Sequence, residues 1–517
     1  MSRHVIGVRP SVAVVTVVEV IAVGALILMP LWWAIGSVAA TALALSVTVH
    51  GSTAPGWVGT LWRWRAARRT PPTVPPAVDI TAGDTVCGVR IGADEAVAMI
   101  RLAGRAHRPT FLRDAGTAIT EDVLPLRILT EHLQQPGGLH LDIDVVSVGR
   151  RVRPSSGYPA LYSTLLGARA AIGQRSTVLL LRLNLPASST GLGYRESVGS
   201  AVAGAAERLI NGLRQAGVRA AAATATELDA ALAGAGGGLL TADQPTDRPK
   251  RPELRWRGVK TRDGYLSGYY LSPEDITTGS LNRLWALHAD TLTITVTLRA
   301  RGRVEVAATV QVVTAQPPPQ PPTLDLRPLP GRQHAAIGWS APTVRPGLPV
   351  PFGPLGDPAQ LQLPVGPCGV LIGAATGTGG GCRRDDFVTL PLTDPADTTR
   401  IAMNTDPGYV RALLMRAAAV GERVSIHTAT PHTWTGLADP NIAVAAPGCP
   451  FVPTIIVNDH ALTTPAHGLA ATLITLGDDA DADIRFTQDG DTVRLHTPTG
   501  VVDVAVITFL REEGWTG

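Results

Sequence analysis

The residues best placed by type to do chemistry lie in "LHLDIDVVSV", 139–148, where Asp142 and Asp144 stand two apart in a run that alternates apolar and polar residues. Such alternation marks a half-buried strand, so both carboxylates leave it on one face. Paired carboxylates can share a magnesium ion with substrate phosphates, the use that sugar-nucleotide transferases make of D-x-D. Alternate acids on a strand are also ordinary surface residues, and the pattern is short.

The stretch "GVLIGAATGTGGGCRRDDFVTLPL", 369–392, has the glycine content of a phosphate-binding loop. A P-loop ends in Lys and Ser or Thr and opens a helix. After Gly373, the places for its second Gly and its Lys are taken by Thr378 and Gly379, and the dinucleotide pattern starting at Gly377 fails at Cys382. "FVTLPL" resumes with strand composition, which predicts a hairpin connection and no bound nucleotide. His427 and His432 lie five apart at a strand end, a poor spacing for metal. "GDDADAD", 477–483, starts like a calcium loop without its later Gly and Glu, and reads as a solvated turn. No HExxH occurs, and Ser197 lacks the upstream Gly of a nucleophile elbow. No catalytic, cofactor-binding or metal-binding set is therefore expected.

Those motifs sit in a chain of 517 residues, long enough for several cores, with 45 basic and 42 acidic residues and a formal charge of +3. That balance argues against a nucleic-acid binder. Cys87, Cys368, Cys382 and Cys449 have neither CxxC nor His-Cys spacing, so neither a disulfide framework nor a structural zinc is signalled.

Residues 12–29 and 31–49 are apolar and joined at Pro30, each about the ~20 residues that cross a bilayer. The expectation is two transmembrane helices at a cell inner membrane. Arg3 and Arg9 before them, and Arg63, Arg65, Arg68 and Arg69 after, put both termini in the cytoplasm by the positive-inside rule. Trp57, Leu61 and Trp64 follow at helical spacing, with Trp62 beside them and Arg65, Arg68 and Arg69 close by. Indoles favour the headgroup layer and arginines reach lipid phosphates, so these seven residues are the expected membrane-interface set. Glu19 lies mid-span, where a carboxylate costs on the order of 2.5–3.5 kcal/mol, and is expected to touch a partner helix.

The body reads as α/β (α+β), with mixed sheets. The expected division is a membrane hairpin with interfacial helix at 1–70, a first cytosolic α/β domain at 78–240, a β-rich extension at 250–315, a Pro-rich linker at 316–350 and a C-terminal α/β domain at 351–517. In the first domain the order β-α-β-β-α-β, with a long helix over about 194–216, suggests a ferredoxin-like arrangement. In the last, "RIAMNTDPGYVRALLMRAAAVGERVSIHTAT" reads as strand, helix and strand, the helix capped by Asp406, started by Pro407 and stopped by Gly421.

The two-span start closed by Trp and Arg, a body without a catalytic signature, and the late "GVLIG…FVTLPL…RIAMNTDPGYVRALLMRAAAVGERVSIHTATPHTWTGL" together resemble the EccE family of mycobacterial type VII (ESX) secretion systems. The glycine-and-arginine loop at 376–384 departs from the plainer hairpin of that pattern. The resemblance implies a non-enzymatic scaffold in an inner-membrane complex with EccB, EccC and EccD type subunits, exporting ESX and PE/PPE-type proteins. ATP hydrolysis would belong to the EccC-like partner. It also implies a degenerate glycosyltransferase-like fold as the alternative to the ferredoxin-like one. The rival function is a membrane-tethered transferase using Asp142 and Asp144.

Overall fold

The computed structural model describes residues 6–8, 12–49, 53–69, 74–83, 85–235, 239–240, 252–377, 382–444, 449–459 and 472–516. Arg3 and Arg9, residues 70–73 of the proline-rich tether and 378–381 of the glycine loop lie outside the described residues.

The N-terminal hairpin corrects the expectation of two transmembrane helices. Its helices are Val12–Leu28, of 17 residues, and Leu31–Ser46, of 16. At 1.5 Å per residue they measure about 25 Å, less than the roughly 30 Å of a hydrocarbon core. Among the described residues no helix is long and apolar enough to cross a membrane. The second apolar run is cut short because Val47–Val49 leaves the helix and pairs antiparallel with Ile6–Val8. β-branched residues favour that extended state once a partner strand supplies the hydrogen bonds.

The body is built on two large sheets. The first is antiparallel throughout. Its centre is Leu139–Arg150 flanked by Gln174–Asn184 and Thr291–Arg301, continuing through Glu95–Ala103 on one side and Arg303–Thr314 and Tyr265–Leu271 on the other. Arg219–Ala222 pairs with Glu95–Ala103, so that strand, Gln174–Asn184 and Leu139–Arg150 follow in the order of a split βαβ unit. The helix Val198–Gln215 covers one face, burying Val202, Ala205, Leu209 and Leu213, and Ser197 and Ser200 close its first turn as a capping box.

The second sheet is mixed. Ile442–Val444, Val424–Thr428, Ile455–Asp459, Thr472–Leu476, Thr399–Asn404 and Ile484–Asp489 run parallel in that order, and antiparallel strands extend it to Val370–Ala375 and Phe387–Leu390. The glycine loop joins those last two strands as a hairpin, as its composition predicts. Beyond them the sheet takes in Thr110–Arg113 and Thr117–Ile119 from the first part of the chain. One apolar core runs across both sheets, and the Tyr162 hydroxyl accepts from the Leu371 amide at 2.9 Å where they meet.

Candidate functional site

The D-x-D strand places Asp142 opposite Arg182 and Asp144 opposite Thr297 on its two neighbours. Register thus brings a cation and a hydroxyl to the acids before any ligand is considered. Arg182 Nε donates to Asp144 Oδ2 at 2.5 Å, and Thr297 Oγ1 donates to Asp144 Oδ1 at 2.7 Å. Arg345 then bridges the pair, Nη1 to Asp142 Oδ2 at 2.6 Å and Nη2 to Asp144 Oδ1 at 2.7 Å. Glu95 Oε2 accepts from the Arg345 amide at 2.7 Å and from Arg182 Nη1 at 3.2 Å.

The segment 339–345 forms a strap over this cluster. Arg182 Nη2 donates to the carbonyls of Ala341, at 2.9 Å, and Trp339, at 3.3 Å, and Nη1 to that of Thr343. The Arg345 guanidinium lies 4.8 Å from the Trp339 ring centroid, and Trp339 Nε1 donates to Thr297 Oγ1 at 3.1 Å. The Asp144 side chain is fully buried, whereas that of Asp142 is 26% exposed. Burial alone would raise the Asp144 carboxyl, but Arg345, Arg182 and the Thr297 hydroxyl outweigh it and hold it below the ordinary carboxylate range. At Asp142 burial wins over Arg345 and the carboxyl is raised.

This arrangement has the chemistry of a structural ion network. Both Asp144 oxygens already accept charge-assisted bonds, and a metal would have to displace two guanidinium groups. Among the described residues no group of three or more His, Cys, Asp or Glu could hold a metal ion. Sequence reading named the two acids and missed their partners. The available signal was Arg182 itself, a charge inside the apolar run "STVLLLRLNL", which burial obliges to find a carboxylate.

The other candidate positions are dispersed. Ser197 caps a helix, His427 Nε2 meets Ser425 Oγ at 3.2 Å, and His432 is exposed on the short turn Pro431–Trp434. In the 477–483 turn Asp479 accepts from Arg400 Nη2 at 3.1 Å and the Asp481 amide at 3.0 Å. A second buried network joins Arg416 to Glu512, with Nε to Oε1 at 2.9 Å and Nη2 to Oε2 at 2.6 Å, and Tyr158 donates its hydroxyl to Glu512.

The helix Ala54–Arg69 carries the expected interface residues. Trp57 and Trp64 turn toward Trp256, at ring-centroid distances of 6.0 and 5.4 Å, and Arg68 stacks 4.9 Å from the Trp64 ring centroid. Leu61 is half-buried, while Trp62, Arg65 and Arg69 are exposed. Glu19 is exposed on the hairpin, whose Leu28, Trp32 and Trp33 are also largely uncovered.

The paired carboxylates of the body are thus neutralised internally, and the N-terminal hairpin leaves apolar surface uncovered. The family model "Putative type VII ESX secretion system translocon, EccE" matches residues 171–271, which include the central strand Gln174–Asn184 of the first sheet, its strand Tyr265–Leu271 and the helix Val198–Gln215. The chain is 29% identical over 422 residues to the ESX-2 secretion system protein EccE2 of Mycobacterium tuberculosis, covering 80% of this chain and 74% of that protein. It is 27% identical over 410 residues to the ESX-1 secretion system protein EccE1 of Mycolicibacterium smegmatis, covering 77% of each. Against the ESX-5 secretion system protein EccE5 of Mycobacterium tuberculosis it is 30% identical over 362 residues, 65% of this chain and 86% of that protein. The chain belongs to the EccE family.

Proposed function

We propose that this chain is a non-enzymatic structural subunit of an ESX secretion complex at the cell inner membrane, stabilising the assembly that exports ESX and PE/PPE-type proteins. As an EccE family member it is a component of the type VII secretion machinery. Its partners in this reading are subunits of the EccB, EccC and EccD types and the lipid bilayer, with neither nucleotide nor nucleic acid bound by the chain itself. The observation that carries the non-enzymatic reading is the Asp144 carboxylate, fully buried and bonded to Arg182, Arg345 and Thr297. Nothing in that arrangement supports the transferase alternative. The exposed hairpin supports a docking role, with Glu19 as its polar contact to a partner helix and Trp57, Leu61, Trp62, Trp64, Arg65, Arg68 and Arg69 as the stretch nearest the membrane surface.

The test is affinity purification of tagged full-length chain from cells that express the whole secretion locus, under mild detergent. Recovery together with the ATPase subunit is the expected result, and loss of that recovery on Glu19→Leu would locate a contact on the hairpin. Recovery of the chain by itself from intact membranes would defeat the scaffold assignment.

A further inference from the structure

We infer that the outward face of the helix Ala54–Arg69 is a docking surface for an anionic phospholipid bilayer, read through Trp62, Arg65 and Arg69. The helix has two faces of different character. Trp57, Thr60 and Trp64 point to the body, where Arg332 Nη2 donates to Thr60 Oγ1 at 3.1 Å and both indoles meet Trp256. Val58, Trp62, Arg65 and Arg69 recur at intervals of four, three and four and form an opposite, exposed stripe, with Val58 56% and Trp62 69% exposed. An uncovered indole among arginines suits a headgroup layer, apolar ring below and cations at the phosphates.

Charge favours lipid over a neutral partner. The helix contains no Asp or Glu, and Arg63 stands near enough to Arg332 and His334 that, after burial, its charge lowers the proton affinity of both. Glu253, the acid whose charge couples to Arg68, is already bonded by Arg255 at 3.0 Å. The helix also packs on Leu31–Ser46, whose Trp32 and Trp33 are exposed. This inference rests on the inner-membrane placement proposed above.

The experiment is flotation of purified full-length chain with vesicles of phosphatidylcholine alone or of an equimolar mixture with phosphatidylglycerol. The chain should bind the anionic vesicles more tightly and lose that preference at high salt. The double variant R65Q/R69Q should weaken binding to anionic vesicles by roughly twenty-five-fold, about fivefold per arginine, and leave binding to phosphatidylcholine unchanged. The R65K/R69K variant should keep the preference, and Trp62→Ala should weaken binding to both vesicle types. Equal binding of the parent to both vesicles, or an undiminished preference in the Gln variant, would overturn the inference. So would displacement by inorganic phosphate at matched ionic strength, which would mean a discrete phosphate site, or loss of preference in the Lys variant. Co-purification with the ATPase subunit, read on the same variants, separates the two proposals: if the Gln variant is still recovered with the complex while its lipid preference is gone, lipid docking and assembly are distinct functions of the chain.

Discussion

Replacing Asp144 by Asn keeps the shape of the side chain and one acceptor for Thr297 but removes the charge that Arg182 and Arg345 share. Arg182 is fully buried and Arg345 only 12% exposed, so neither guanidinium can recover its hydration without opening the strap at 339–345. Breaking a buried ion pair by removing one partner costs about 3–5 kcal/mol. Asp142→Asn should cost about 1 kcal/mol or less, because Asp142 is 26% exposed and Arg345 would keep its bond to Asp144. Hydrogen exchange of the full-length chain, followed by mass spectrometry over the strand Leu139–Arg150, reads the free energy of local opening. Asn at 144 should speed exchange there by roughly a hundred- to several-thousandfold, at about 1.4 kcal/mol per factor of ten, and Asn at 142 by less than tenfold. Equal exchange in Asp144→Asn and the parent, or equal effects of the two substitutions, would refute the view that Asp144 anchors the strap.

Three further outcomes follow from the same structure. His107 is buried, with Nδ1 2.9 Å from the Pro391 carbonyl and Nε2 3.0 Å from Thr399 Oγ1, and burial pulls its pKa below the ordinary 6.5. The folded state therefore binds the proton less readily than the unfolded one, so stability is kept above 6.5 and declines as pH falls below it; thermal melts at stepped pH should show this slope, and His107→Gln should flatten it. Glu512→Gln leaves the Arg416 guanidinium, 1% exposed, without its counter-charge, and at about 3–5 kcal/mol the C-terminal segment should detach and become open to protease. Gly88→Ala would bring a Cβ within 2.4 Å of the backbone at Thr224 and Ala225 and should cost about 1–3 kcal/mol or more, whereas Gly234→Ala, with nothing within 4 Å, should leave the melting temperature equal or higher.

Local rules were readable wherever they act over a few residues. Asp406 accepts from the Gly408 amide at 2.7 Å and Gly421 takes φ 113°, so the helix Pro407–Val420 begins and ends where its cap and glycine indicate. The apolar stripe of Val198–Gln215 and the glycine hairpin before Phe387 were equally legible. The length of the N-terminal helices was not, because hydropathy over 31–49 is silent about Ile6–Val8 capturing Val47–Val49 as a strand. The crossover from Thr399–Asn404 to Val424–Thr428 was visible as strand, helix and strand, yet Ile455–Asp459 and Thr472–Leu476 lie between them in the sheet.

By itself the sequence determined the periodic faces, the caps and turns, and the two acids on one side of a strand, since each depends on neighbours within a turn or a pleat. Only the tertiary structure decided what the acids are for. Arg345 lies more than 200 positions from Asp142 and Asp144, and no local pattern says which distant cation will satisfy a buried carboxylate. That choice is made by sheet register and by the strap, through the cost of leaving any of these charges unpaired away from water.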